Sequence, residues 1–177
     1  MKIASITTYD INNGPGVRVT VWVSGCNHKC PGCHNPELQD YLQGYDLKSE
    51  EVCEKIITEL DKPYISGLTI SGGDPLNQSE ENLDYLETFI LAIKMIYPNK
   101  NIWIYTGFAW EELIRYDYIK YIKHADVLVD GRYMQELRDI TLPFRGSSNQ
   151  RIIDINKSIE SESVVEIPDT VFRDEND

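Results

Sequence analysis

Positive charge is in short supply: 17 Lys and Arg stand against 29 Asp and Glu among 177 residues, a formal net charge of -12 with an isoelectric point near 4.6. Gripping nucleic acid through its phosphates requires clustered cations that displace counterions, so no nucleic-acid partner is expected. A protein partner or a small ligand fits better. Long hydrophobic runs are also missing. Nothing approaches the roughly 20 apolar residues needed to cross a bilayer, and Lys2 leads into polar residues instead of the apolar core of an export signal. The expectation is a cytoplasmic protein with no membrane partner. Cysteine is scarce, and three of the four crowd between positions 26 and 33. That spacing suits a metal or redox site in a reducing compartment better than a disulfide framework. The fourth, Cys53, falls in a helical pattern and reads as a small buried hydrophobe.

What is present is one core's worth of apolar residues, 41% of the chain, too little length for two independent domains. Val17-Arg18-Val19-Thr20-Val21-Trp22-Val23 is rich in β-branched residues and predicts a strand with a buried face, running straight into Ser24-Gly25-Cys26. Ser49 is placed to cap a helix with Glu50 and Glu51 at its positive end and Val52, Ile56, Ile57 and Leu60 as its apolar stripe. A short apolar run over 67–71 predicts the next strand, followed by a helix from about Ser79 that carries Leu83, Leu86, Ile90 and Ile93 and stops before Pro98. A strand over 102–106, a helix over 110–122 and a strand over 126–130 follow, with 152–155 as one more strand. Alternating strands and helices imply crossovers, hence an α/β fold with a mostly parallel sheet. Four or five strands are too few for a closed eight-stranded barrel, so an open partial (β/α) barrel is expected. Residues 1–155 form the expected domain. Residues 156–177 form a tail with seven acidic side chains against Lys157 and Arg173, expected to be mobile at its end. Val164, Val165, Ile167, Val171 and Phe172 leave room for part of it to dock as a short strand.

In parallel α/β folds, functional groups gather at the C-terminal ends of strands, and the unusual residues of this chain fall there. Cys26, Cys30 and Cys33 follow one strand, Gly72-Gly73-Asp74-Pro75 the next, then Thr106-Gly107 and Asp130-Gly131. The C-x3-C-x2-C loop can turn three thiolates toward one centre. A cubane cluster normally takes four protein ligands, so three leave one iron open to a substrate-like molecule. The alternative is structural zinc with His28 or His34 as fourth ligand, although the second Cys or His pair of a zinc ribbon or finger is absent. Two glycines let a ligand approach the backbone, and their carbonyls with the Asp74 carboxylate can receive a protonated amine. A plain turn between strand and helix accounts for the same residues.

Taken together these motifs resemble the radical S-adenosylmethionine (SAM) superfamily, and within it the anaerobic ribonucleoside-triphosphate reductase activating proteins. The resemblance rests on Asn13-Gly14-Pro15-Gly16-Val17-Arg18, on Ser24-Gly25-Cys26-Asn27-His28-Lys29-Cys30-Pro31-Gly32-Cys33-His34-Asn35-Pro36 and on Leu68-Thr69-Ile70-Ser71-Gly72-Gly73-Asp74-Pro75-Leu76. It continues through Ile102-Trp103-Ile104-Tyr105-Thr106-Gly107, Val127-Leu128-Val129-Asp130-Gly131-Arg132-Tyr133 and Arg145-Gly146-Ser147-Ser148-Asn149-Gln150-Arg151. It implies that Cys26, Cys30 and Cys33 hold a 4Fe-4S cluster whose open iron binds SAM, and that Gly72, Gly73 and Asp74 receive the methionyl amine. It further implies that Gly32 and His34 touch the adenine, and that Thr106 and Asp130 sit where related activases place ligand- or cation-binding groups. Most of the superfamily has an aromatic residue just before the third cysteine. Gly32 stands there instead, as in the reductase-activating subgroup.

The function so implied is reductive cleavage of SAM and formation of a glycyl radical on the large subunit of an anaerobic ribonucleotide reductase, with an external one-electron donor. Activation of another glycyl-radical enzyme, of the formate-lyase type, is the near alternative, and subgroups with extra clusters are disfavoured by the lack of a further cysteine-rich insert. A zinc-binding interaction module and a simple electron-carrying iron-sulfur protein are the remaining readings.

Overall fold

The structure, a computed structural model, describes residues 1–172. Its seven strands are β1 (Lys2–Asp10), β2 (Val17–Val23), β3 (Tyr45–Asp46), β4 (Ile65–Gly72), β5 (Asn101–Tyr105), β6 (Val127–Asp130) and β7 (Arg151–Asp154). The helices are α1 (Glu50–Leu60), α2 (Glu80–Ile96), α3 (Trp110–Arg115), α4 (Ile119–Ile122) and α5 (Ile155–Glu160). All strands lie in one sheet, in the order β3-β1-β2-β4-β5-β6-β7. Neighbours β2, β4, β5 and β6 pair in parallel, while β1 and β7 pair antiparallel to theirs. The result is a mixed, mostly parallel α/β sheet that stays open.

Strand alternation divides the sheet into two faces. Val19, Val21 and Val23 of β2, Ile102 and Ile104 of β5, Leu128 and Ile153 face the large core, which also holds Ile56, Leu60, Leu83, Leu86, Ile90, Leu113 and Ile122 from the helices. On the other face, Trp103, Val127, Val129 and Ile152 form a smaller cluster closed by Tyr105, Phe144, Ile167 and Phe172. At β2 that second face carries polar residues. Arg18 has no exposed surface there, and its guanidinium donates to the Thr69 hydroxyl, the Asn101 side-chain oxygen and the Leu68 carbonyl, each at 2.7 Å.

Several elements differ from the sequence-based expectation. β1 precedes the strand expected to be first. Its exposed positions and its Ser and Thr content leave a weak apolar pattern, and its place is decided by pairing with β2. The helix expected over 110–122 is two, because Asp117 adopts φ +57 and ends the run between α3 and α4. Ile155 begins α5 instead of ending a strand, since the Asp154 carboxylate accepts from Lys157 N and caps the helix. Helix α5 thus crosses the expected boundary at 155/156. The tail beyond it docks by a bridge between Glu166 and Ile153 and by a 3-10 turn at Asp169–Phe172. Its last residues, 173–177, for which mobility was expected, lie outside the described residues.

Candidate functional site

Side chains on the second face at the C-terminal ends of β2, β4 and β5, namely Trp22, Ser71 and Tyr105, form the floor of a cavity of about 560 Å³. That is within the range of small-molecule sites, roughly 300–1,000 Å³. Cys26, Cys30 and Cys33 line it together, each half-buried and free of disulfides. The loop carrying them is stitched to the chain after it, with Gly25 N donating to Leu38 O at 2.8 Å and Cys26 N to Gln39 O at 3.2 Å. Cys33 N donates to Cys30 O at 3.1 Å, a turn that keeps the second and third cysteines on one side. Burial pushes the Cys26 thiol up to about 11; the neighbouring Asp74, Cys30 and Cys33 add to the rise, and the His28 backbone N–H opposes it. A positively charged centre at this wall would offset that cost.

Gly72 and Gly73 line the same cavity. Gly73 N donates to Val23 O at 2.7 Å and Asp74 N to Gly25 O at 2.9 Å, so the glycine loop lies flat against the start of the cysteine loop. A Cβ on Gly73 would lie 2.6 Å from both Gly25 O and Leu38 O, a clash with backbone that explains the residue.

Asp74 lies behind this wall, 1% exposed and outside the cavity lining. Its carboxylate accepts from His28 Nε2 at 2.7 Å, Gly107 N at 2.9 Å, Leu76 N at 2.8 Å and the Thr106 hydroxyl at 3.0 Å. One buried anion therefore ties the cysteine loop, the glycine loop and the β5 rim together. Thr106 lines the cavity, while its hydroxyl is committed to Asp74. Asp130 lies outside the lining as well. Also 1% exposed, it accepts from Trp110 N at 2.8 Å and pairs with Arg151, whose guanidinium also holds Glu111. Gly32 sits against the Gln135 side chain, and His34 lines the cavity with its ring 4.7 Å from that of Tyr133.

His28 also packs edge-on against Phe108 at 4.8 Å, so its ring is spoken for on two sides. Among the described residues no three His, Cys, Asp or Glu side chains converge as ligands of one metal ion. A single zinc needs four ligands meeting at about 2.0–2.3 Å, whereas a cubane presents a separate iron to each thiolate. Three soft thiolates lining one wall of a roomy cavity suit the latter. Sequence reasoning assigned no role to Lys29, Tyr105, Phe144 or Arg145, which also line the cavity. Position at a strand end was a signal for Tyr105. Lys29 stands within the cysteine loop, next to Cys30. Phe144 and Arg145 arrive from a distant loop, and only the fold brings them in.

A family described as a 4Fe-4S single cluster domain matches residues 12–153, which takes in all three cysteines and the glycine loop. Curated relatives match over most of both chains. An anaerobic ribonucleoside-triphosphate reductase-activating protein of Enterobacteria phage T4 is 38% identical over 152 residues, covering 86% of this chain and 93% of the relative. Proteins of the same name from Salmonella typhi and Haemophilus influenzae are 40% and 39% identical, covering 80% and 81% of this chain and 90% and 91% of theirs. The chain belongs to the family of anaerobic ribonucleoside-triphosphate reductase-activating proteins.

Proposed function

We propose that this protein is a radical SAM activase that generates a glycyl radical on the large subunit of an anaerobic ribonucleoside-triphosphate reductase. The observation that carries the proposal is the convergence of Cys26, Cys30, Cys33, Gly72 and Gly73 on one cavity, in a chain whose relatives bear the activating name. The three thiolates are the residues that would hold a 4Fe-4S cluster, and the Gly72 and Gly73 backbone, backed by Asp74, would receive the methionyl amine of SAM. His34 beside Tyr133 supplies a ring surface for the adenine, next to Gly32.

When bound, a cluster held by Cys26, Cys30 and Cys33 would supply the single electron for reductive cleavage of SAM, the radical chemistry by which a glycine Cα of the partner would lose its hydrogen. The protein's own work is to orient and to exclude water. Tyr105 and Phe144 give the cavity an apolar side, and burial raises the Tyr105 phenol well above its ordinary range, keeping it neutral. Asp74 holds the two binding loops in register from behind. In this role the chain works in the cytoplasm with an external one-electron donor.

The test is anaerobic reconstitution with iron and sulfide, reduction, and addition of SAM and the matched reductase, read by electron paramagnetic resonance. A glycyl radical signal is expected only with all components present, and a reductase whose radical-site glycine is replaced by Ala should give none. A signal on a formate-lyase type enzyme but never on the reductase would keep the activase class and reject the substrate.

A further inference from the structure

Beyond α5 the chain doubles back along β7, with Asp154 N donating to Val165 O at 2.9 Å and Ile167 N to Ile152 O at 2.7 Å. It then enters the 3-10 turn at Asp169–Phe172, and two side chains of that turn reach the outer wall of the cavity. Both Asp169 oxygens lie 2.6 Å from Arg145 Nη2, with the side chains only 12% and 24% exposed. Phe172 meets Phe144 edge-on at 5.3 Å and Trp103 at 5.7 Å, while Phe144 meets Trp103 at 5.5 Å, closing a triangle of rings.

The residues so held are cavity residues. Phe144 and Arg145 line it, as does Tyr105, whose hydroxyl donates to the Phe144 carbonyl at 2.7 Å. Phe144 has φ +54, a conformation that a bulky residue keeps only when its surroundings enforce it. Arg145 Nε is buried without a partner among the described residues, so the Asp169 carboxylate is the anion that fixes this guanidinium. The family match ends at residue 153, short of the whole segment.

We propose that residues 165–172 are a strap, and that Asp169 and Phe172 are positioning residues that hold the Phe144–Arg145 wall in the shape that binds SAM. The proposal rests on the SAM reading given above. The strap's hydrogen bonds and ring contacts described above run to β7, Trp103, Phe144 and Arg145. Its loss therefore acts on ligand affinity and leaves the cluster in place.

The experiment uses cluster-loaded full-length protein, wild type and the variants Asp169→Asn, Asp169→Glu, Phe172→Ala and Phe172→Leu. SAM affinity is measured by anaerobic equilibrium dialysis, and tryptic cleavage at Arg138 and Arg145 reports release of the loop that forms the wall. Couplings between separated elements commonly amount to about 5- to 150-fold. Asp169→Asn and Phe172→Ala should weaken SAM at least about fivefold and be cut faster, with unchanged iron content and cluster absorption. Glu and Leu should restore most of the affinity, and saturating SAM should restore the rate of radical formation. Variants that bind SAM like the wild type and are cut no faster overturn the strap alone. Cluster-loaded wild type that binds no SAM overturns the functional reading and the ligand named here.

Discussion

Asp74 is the residue for which the structure adds most to the sequence-based expectation. As part of a Gly-Gly-Asp loop it reads as a ligand for an amine, yet it is buried behind the loop and accepts hydrogen bonds from His28, Leu76, Thr106 and Gly107. Leaving a buried donor unpaired costs about 1–3 kcal/mol. Asp74→Ala strands several at once and is expected to lower stability by roughly 3 kcal/mol or more, read as a reduced midpoint in urea. A variant that lost SAM affinity at unchanged stability would mean that the carboxylate faces the ligand after all. The cysteines make a cleaner contrast. Replacing Cys26, Cys30 or Cys33 by Ser should abolish the iron chromophore. Cys53→Ser should retain it, because the Cys53 thiol is occupied with Leu47 O at 3.3 Å and the Tyr85 hydroxyl at 3.7 Å, on the helical side of the sheet. Iron and sulfide content after reconstitution checks both statements.

At the scale of elements, the strands position the site through their two faces. Hydrophobic β2 residues face the helices, while Arg18 on the opposite face ties β2 to β4 and β5 and donates to Pro15 O of the β1–β2 loop at 3.3 Å. Thr69, which accepts from Arg18, donates in turn to Asn13 O at 2.7 Å, so this buried cation holds the loop whose Asn12 and Asn13 line the cavity. Burial lowers the Arg18 pKa to about 10, well inside its charged range at neutral pH. Arg18→Leu removes the donors and leaves buried carbonyls unmet, at a cost of about 3 kcal/mol. For a chain of this length that corresponds to a Tm lower by roughly 6–12 °C at 2–4 °C per kcal/mol. A shift under about 2 °C in differential scanning calorimetry would contradict this role.

Across the whole molecule, the open sheet leaves the cavity without a closed barrel around it, and the described residues supply walls from the sheet, the cysteine loop and the 140–146 loop. Such a site is suited to completion by a partner that brings its own glycine. SAM turnover by the chain alone should therefore be slow, and addition of the reductase should accelerate it, as measured by methionine release under reduction.

The local physics legible in the sequence was that of short-range pattern: the β-branched run of β2, the stripes of α1 and α2, the thiol spacing and the glycines that no side chain can replace. Those features depend on neighbours a few positions away, so one chain suffices to read them, and they carried the α/β class and the placing of the cysteines and glycines in loops after strands. What only the tertiary structure decided depends on pairing between distant segments. β1 joins the sheet because β2 offers it an edge, β7 runs antiparallel because a loop and not a helix returns the chain to β6, and Asp74 turns inward because His28 and Thr106 meet it there. The acidic tail has the composition of a solvated segment, yet Phe172 finds two aromatic rings and Asp169 a largely buried guanidinium. Composition weighs the average over a segment, while docking depends on a few side chains and on the surface that the rest of the fold holds out to them.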